Sequence, residues 1–179
     1  MLFHSAILEV RPDPAEPRRG TARLRGDQRV FACALGRTGV AADKREGDGA
    51  TPLGTFPLRQ AFYRPDRESP PATGLTLRAL TPQDGWCDEA AAADYNRFVR
   101  LPHPHRHERL WREDRVYDLI VVVGYNDAPV APGKGSAIFI HLMRDDGAPT
   151  EGCVAFKRED LLEILAALSL ESKIVITGF

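Results

Sequence analysis

Short apolar runs, cut at close intervals by glycine, proline and charge, set the rhythm of this chain. Alternating or continuous apolar stretches predict strands over residues 2–10, 21–24, 29–35, 54–58, 75–80, 118–125, 137–143 and 173–177. The turn Arg25-Gly26-Asp27-Gln28 makes a hairpin of the second and third. Leu119 to Val123 is apolar at every position, the pattern of a strand buried on both faces. Residues 137–143 read the same way except for His141. Leu161, Leu162, Ile164, Leu165 and Leu168 follow helical spacing, with Glu159, Asp160 and Glu163 opposite. The acidic first turn suits the positive end of the helix dipole. A second, weaker helix is predicted over 88–99. Residues 37–51, with Gly39, Gly47 and Gly49 among charges, read as a mobile surface loop, and 64–72 and 102–108 also read as loops. The sum is a mostly β chain with one or two helices.

Composition leaves that picture in place and removes some functions. A length of 179 residues with 43% hydrophobic and 27% charged positions fits one domain with an ordinary core, so residues 1–179 are taken as a single domain. The 15 glycines and 14 prolines are spread through the chain, favouring strands and turns over long helices. With 24 Lys and Arg against 25 Asp and Glu the net charge is −1, no field to steer the chain onto nucleic acid, and none is expected as a partner. The longest uncharged apolar run, residues 119–125, is too short to span a bilayer. The first ten residues have no basic leader, so they read as a strand and not a secretion signal, and a cytoplasmic location follows unless an export signal precedes them. Cys33, Cys87 and Cys153 show no CxxC spacing, so neither a disulfide scaffold nor a structural zinc site is expected.

Each thiol is therefore weighed singly, and Cys153 stands out. It follows Gly152 at the end of the turn Pro149-Thr150-Glu151 and precedes an apolar run. A nucleophile so placed has backbone N–H groups beside it to receive charge developing on a carbonyl oxygen. A small buried apolar residue is the plainer reading. His141, twelve positions earlier, sits in an apolar strand where an unpaired imidazole costs about 1–3 kcal/mol. The turn-forming residues 144–149 allow the chain to double back and bring imidazole to thiol, where it raises the thiolate fraction; a core histidine bonded to a carbonyl is the alternative. Trp86 and Asp88 either wall this site or serve as core and cap. Asn126 either orients His141 or makes a turn, and Arg144 either holds a carboxylate or is solvated. His103, His105 and His107 alternate as metal ligands do, but Pro104 and the lack of a preceding carboxylate favour an ordinary polar loop. No metal or organic cofactor is expected.

Ser136-Ala137-Ile138-Phe139-Ile140-His141 followed by Thr150-Glu151-Gly152-Cys153-Val154-Ala155 resembles the catalytic segment of the L,D-transpeptidase (YkuD-type) family. Residues 46–56, 84–88, 94–97 and 125–127 are similar to one branch of it, so the likeness runs from about residue 36 to the C-terminus. It implies a β-sandwich or barrel-like catalytic fold and peptidoglycan chemistry. Cys153 would attack the amide after the third residue of a tetrapeptide stem, releasing the terminal D-alanine, and the acyl group would pass to an amine on a neighbouring stem. His141 would be base and then acid. The N–H groups of Gly152 and Cys153 would line the oxyanion hole, with Thr150 shaping the turn, and Glu151, Asn126, Trp86 and Arg144 would lie at the substrate. Glu151, Ala155 and Leu142 stand where the family more often has histidine, arginine or asparagine, and glycine. The resemblance places the protein in the cell envelope. A carboxypeptidase using water as acceptor employs the same residues, and a non-catalytic cell-wall-binding module is the reading from another class.

Overall fold

The computed structural model describes residues 5–178. Strands β1 (Ile7–Pro12), β2 (Arg19–Leu24) and β3 (Phe31–Ala34) form an antiparallel meander. Two-residue strands β4 (Val40–Ala41) and β5 (Thr51–Pro52) pair in parallel. The long β6 (Gly54–Tyr63) carries β7 (Thr76–Ala79) parallel at its side. A separate antiparallel sheet holds β8 (Asp84–Cys87), β9 (Phe98–Arg100) and β10 (His107–Arg109), in the order β10-β8-β9. Then come β11 (Leu119–Val123), β12 (Phe139–Leu142), β13 (Val154–Phe156), the helix α1 (Arg158–Ala167) and β14 (Lys173–Ile176).

The large sheet runs β11-β12-β13-β3-β2-β1-β14-β6-β7, and β6 also pairs with β11. That last pairing closes the sheet into a barrel and leaves β7 outside the ring. Closure removes the open edges that a flat sheet would expose. Alternate side chains then point inward: Leu8 and Val10 from β1, Val121 and Val123 from β11, Ile140 and Leu142 from β12, all in one buried cluster. Leu161, Ile164 and Leu165 of α1 join the same core, and full burial of each such side chain stabilises by about 1.5–3 kcal/mol. The opposite face of β11 and β12 is buried too. Ile120, Val122 and Phe139 meet Phe62, Trp86, Leu110 and Tyr117 in a second cluster that also holds Cys153. The small β8–β10 sheet and the chain leading into β11 supply its cover.

The predicted strands form, mostly with shifted ends; residues 2–4 of the first lie outside those described. The second helix does not form. Residues 88–97 make turns that join β8 to β9, and Asn96 adopts a left-handed φ of 56° that breaks a helix. Pairing of Cys87 N–H with Arg97 O, and of Asn96 N–H with Cys87 O, closes the hairpin there. The 102–108 loop ends early, because β10 begins at His107. The 37–51 segment is a surface loop by composition but a built one in the fold. The Asp48 carboxylate accepts from Lys44 Nζ (2.6 Å), Arg45 N (2.7 Å) and Ala50 N (2.9 Å), and Lys44 is only 3% exposed.

Candidate active site

Cys153 sits immediately before β13, and the register of β13 on β12 sets its place. Ile140 pairs with Val154 and His141 with Ala155, so Cys153 lies against Phe139. The Phe139 N–H donates to Cys153 Sγ at 3.3 Å, and Sγ in turn donates to the Ala137 carbonyl at 3.3 Å. The turn before it is tied by Thr150, whose Oγ1 donates to Cys153 O (2.7 Å) and accepts from Gly152 N–H (3.1 Å). Thr51 Oγ1 also donates to Cys153 O, at 3.3 Å. Only glycine fits at position 152: its φ is 132°, and a Cβ there would come within 2.7 Å of Ala50 O. One expectation changes here. The Gly152 N–H is engaged by Thr150 and is not a free oxyanion donor, whereas the Cys153 N–H meets no acceptor among the described residues.

His141 shares a face of β12 with Phe139, as the two-residue period of a strand requires. Its Nδ1 is 2.9 Å from Leu142 O. A carbonyl only accepts, so Nδ1 carries the proton and Nε2 keeps its lone pair. The ring of Tyr117 meets the imidazole edge-on, with centroids 5.2 Å apart. The residue 143–152 connection doubles back, and His141 and Cys153 line one cavity of about 550 Å³. Imidazole and thiol are each bonded to backbone and not to one another. Burial pushes the Cys153 thiol up to about 12, reinforced by the Glu108 carboxylate, and pulls His141 down to about 4 against the effect of the Leu142 carbonyl. The resting pair is therefore uncharged, and the histidine does not produce a standing thiolate as the sequence led one to expect.

Charged side chains of both signs line the same cavity: Lys44, Glu46, Arg106, Glu108, Arg112 and Arg144 among them. Lys44 Nζ lies 3.4 Å from where a Cβ on Gly152 would stand, which puts a buried ammonium beside the nucleophile's turn. It is the residue that composition hid, since a lysine in a glycine-rich charged segment reads as solvated. Tyr117 Oη donates to Glu108 Oε1 at 2.7 Å, and Arg112 stands 3.6 Å from the same oxygen. These three form a polar bank against the His141 ring.

The remaining predicted residues divide. Arg144 is exposed on the cavity rim and makes no ion pair among the described residues, and Glu151 lines the cavity while pairing with Arg37 at 2.8 Å. Trp86 is core: its ring packs edge-on against Phe139 at 5.2 Å, and it does not line the catalytic cavity. Asn126 does not touch His141. Its side chain bonds Ala131 and Gly135 backbone and holds the 126–135 loop. The asparagine that does reach the site is Asn96. Its Oδ1 accepts from Trp86 Nε1 (2.9 Å) and Ala137 N–H (3.1 Å), and its Nδ2 donates to Tyr125 O and Asn126 O. Ala137, so held, is the residue whose carbonyl receives the Cys153 thiol. No periodicity marks Asn96; only its place in Asp94-Tyr95-Asn96 hinted at it.

Among solved structures, the fold is similar to Mycobacterium tuberculosis L,D-transpeptidase 1 at 11% identity and a TM-score of 0.44, over 97% of this chain and 62% of that one. The chain thus spans less than two thirds of that protein's crystallised length. No curated protein matches it. The L,D-transpeptidase catalytic domain (YkuD) matches residues 13–176, which begins earlier than the stretch about 36 to the C-terminus that the motifs alone marked. With nearly the whole length matched, the chain belongs to the YkuD family of L,D-transpeptidase catalytic domains.

Proposed function

We propose that this chain is a cysteine acyltransferase of peptidoglycan stem peptides, with Cys153 as nucleophile and His141 as general base. The observation that carries the reading is that both line one cavity while the Leu142 carbonyl fixes the imidazole with Nε2 free to take a proton. Substrate carbonyl entering the cavity meets a neutral thiol. Sγ turns from Ala137 O, its proton passes to Nε2 as the S–C bond forms, and the Cys153 N–H receives the developing oxyanion. Collapse expels the terminal D-alanine amine, which takes the proton back from His141 and leaves a thioester. An amine from a second stem then attacks and gives its proton to Nε2, and as the C–S bond breaks that proton passes to Sγ, restoring the thiol and the neutral imidazole. Coupling proton transfer to attack removes the need for a standing thiolate that burial forbids.

Arg144 on the rim supports a carboxylate-bearing peptide as the ligand, and Lys44, buried beside Gly152 and paired with Asp48, adds positive charge behind the nucleophile's turn. They line the same cavity as Ala155, the position where the family more often carries arginine or asparagine, and bring positive charge to it from other elements. The family acts on stem peptides and is usually associated with the cell envelope, and we place this chain's work there. Among the described residues no helix is long and apolar enough to cross a membrane.

The test is incubation with disaccharide-tetrapeptide, products followed by mass spectrometry, with Cys153→Ala as control. Cross-linked dimer and a trapped thioester at Cys153 are expected. Tripeptide and free D-alanine alone would make it a carboxypeptidase. No turnover and no adduct would overturn the enzymatic reading for this substrate.

A further inference from the structure

On the small sheet beside the catalytic cavity, three donors of different chemistry meet. Cys87 Sγ ends β8, Asp94 lies in the turn after it, and His103 lies in the loop before β10; their ligand atoms all fall within 4.8 Å of one another. Cys87 is buried, the His103 side chain is 10% exposed, and His103 Nε2 stands 2.7 Å from Asp94 Oδ2. We propose that Cys87, Asp94 and His103 are ligands of a structural zinc ion that staples the β8–β10 sheet.

The donor set argues for zinc over harder cations. Thiolate, imidazole and carboxylate together suit a borderline ion, whereas magnesium and calcium take oxygen. A fourth donor stands outside that cluster and would have to move in to ligate. His107 on β10 is the cross-strand partner of Cys87, so their side chains share a face, and its ring centroid is 5.9 Å from that of His103. His107 Nδ1 donates to His105 O at 2.8 Å, which leaves Nε2 with its lone pair. Such a carbonyl behind the ring is what zinc-bound histidines use to fix their tautomer. His103 Nδ1 lies 3.4 Å from both the His105 carbonyl and the His105 N–H. Zinc entry breaks the S–H bond, forms Zn–S and sends that one proton to solvent, while neutral His103 holds its own proton on Nδ1 and offers Nε2 to the metal.

The sheet has reason to need a staple, since its strands are only 4, 3 and 3 residues long. Its position also matters. Asp88 follows Cys87 directly and holds Arg106 at 3.0 Å, and both line the catalytic cavity. The ion would thereby fix one wall of the active site without touching substrate.

The test uses the full chain, stripped with chelator and titrated with zinc alone against a chromogenic competitor. One equivalent is expected to bind and to raise the melting temperature. Cobalt substitution is expected to give a thiolate charge-transfer band in the near ultraviolet that survives in Cys153→Ala and is lost in Cys87→Ser. His103→Ala should weaken zinc binding by at least about 100-fold, and His105→Ala should leave it intact. Wild-type protein with no stoichiometric zinc and no cobalt–thiolate band would overturn the proposal, whatever the variants do. So would a band that follows Cys153, or binding as sensitive to His105 as to His103, which marks an ion on an exposed histidine loop.

Discussion

Two faces of the same strands, β11 and β12, support two cores of different character. Toward the barrel axis, Val121, Val123, Ile140 and Leu142 join a cluster of apolar partners, among them Leu161, Ile164 and Leu165 of α1. Toward the small sheet, Ile120, Val122 and Phe139 meet Trp86, Tyr117 and Cys153, with His141 alongside. The polar handles on this second face are tied down, Trp86 by Asn96, Tyr117 by Glu108 and His141 Nδ1 by Leu142, while His141 Nε2 is left open. The inner face stabilises through area and close packing. The outer face holds ionisable groups neutral through desolvation while fixing their hydrogen bonds, which is what acid–base chemistry at a buried thiol requires. One barrel wall thus separates stability from reactivity by the pleat of its strands.

The largest effect expected of that separation is on His141. His141→Asn keeps a donor for the Leu142 carbonyl and removes the base, so kcat for acyl transfer should fall about 10²–10⁴-fold while the circular dichroism spectrum stays native. Steady-state assay with a stem-peptide substrate checks it. If turnover survives, another group on the outer face takes the thiol proton, and Glu108, behind Tyr117, is the next to test.

The inner face should answer the opposite way. Leu165→Ala leaves a cavity in a closed core and is expected to cost about 2–5 kcal/mol in urea unfolding, with kcat at 25 °C unchanged. A parallel drop in kcat would mean that packing defects cross the barrel wall, and that the two faces are one mechanical unit.

The inner face was also the more legible of the two in the sequence. The all-apolar run Leu119 to Val123, the Leu161 to Leu168 stripe and the turn at Gly26 each follow from periodicity, and each forms. Cys153 and His141 were visible as well, because a reactive type interrupts an apolar pattern on both sides of one turn. The cover of the outer face was not visible. β8, β9 and β10 are too short to show alternation, and the alanine-rich 89–93 stretch mimics a helix whose continuation Asn96 prevents by its positive φ. Lys44 was hidden for a related reason. Its burial depends on Asp48, four residues on, folding a glycine-rich loop around it. Such pairings are set by tertiary contacts and leave no period in the chain.

Next in size is the response to pH. His141 sits at about 4 in the fold against 6.5 when free, so the unfolded chain takes its proton first as pH falls. The stability this contributes is complete above 6.5 and is lost as pH drops from 6.5 toward 4. At about 1.4 kcal/mol per pH unit the full loss is roughly 3 kcal/mol. Urea unfolding at pH 7 and pH 4.5 should show wild type losing more than His141→Asn, whose carboxylates titrate alike. The acid limb of kcat/KM should likewise centre near 4. A limb near 6.5 would place His141 in contact with water, and the outer face would then not be a desolvated one.

The smallest effect should come from a residue two positions from the nucleophile. Glu151 pairs with Arg37 at 2.8 Å, but the two side chains are 78% and 47% exposed. Solvent and salt screen such a pair, and holding two long side chains in one geometry offsets much of its attraction. Glu151→Gln is therefore expected to change unfolding free energy by about 0.5 kcal/mol or less. Its carboxylate does reinforce the raised thiol, yet as the last of the contributions after burial and Glu108. Alkylation of Cys153 by iodoacetamide should accordingly speed up by no more than about twofold, since about 0.4 kcal/mol corresponds to that ratio. Distance along the chain is thus the wrong measure of influence here, and burial is the right one. A tenfold change in alkylation would show that the Arg37–Glu151 pair, at the cavity that Glu151 lines, controls access to the thiol.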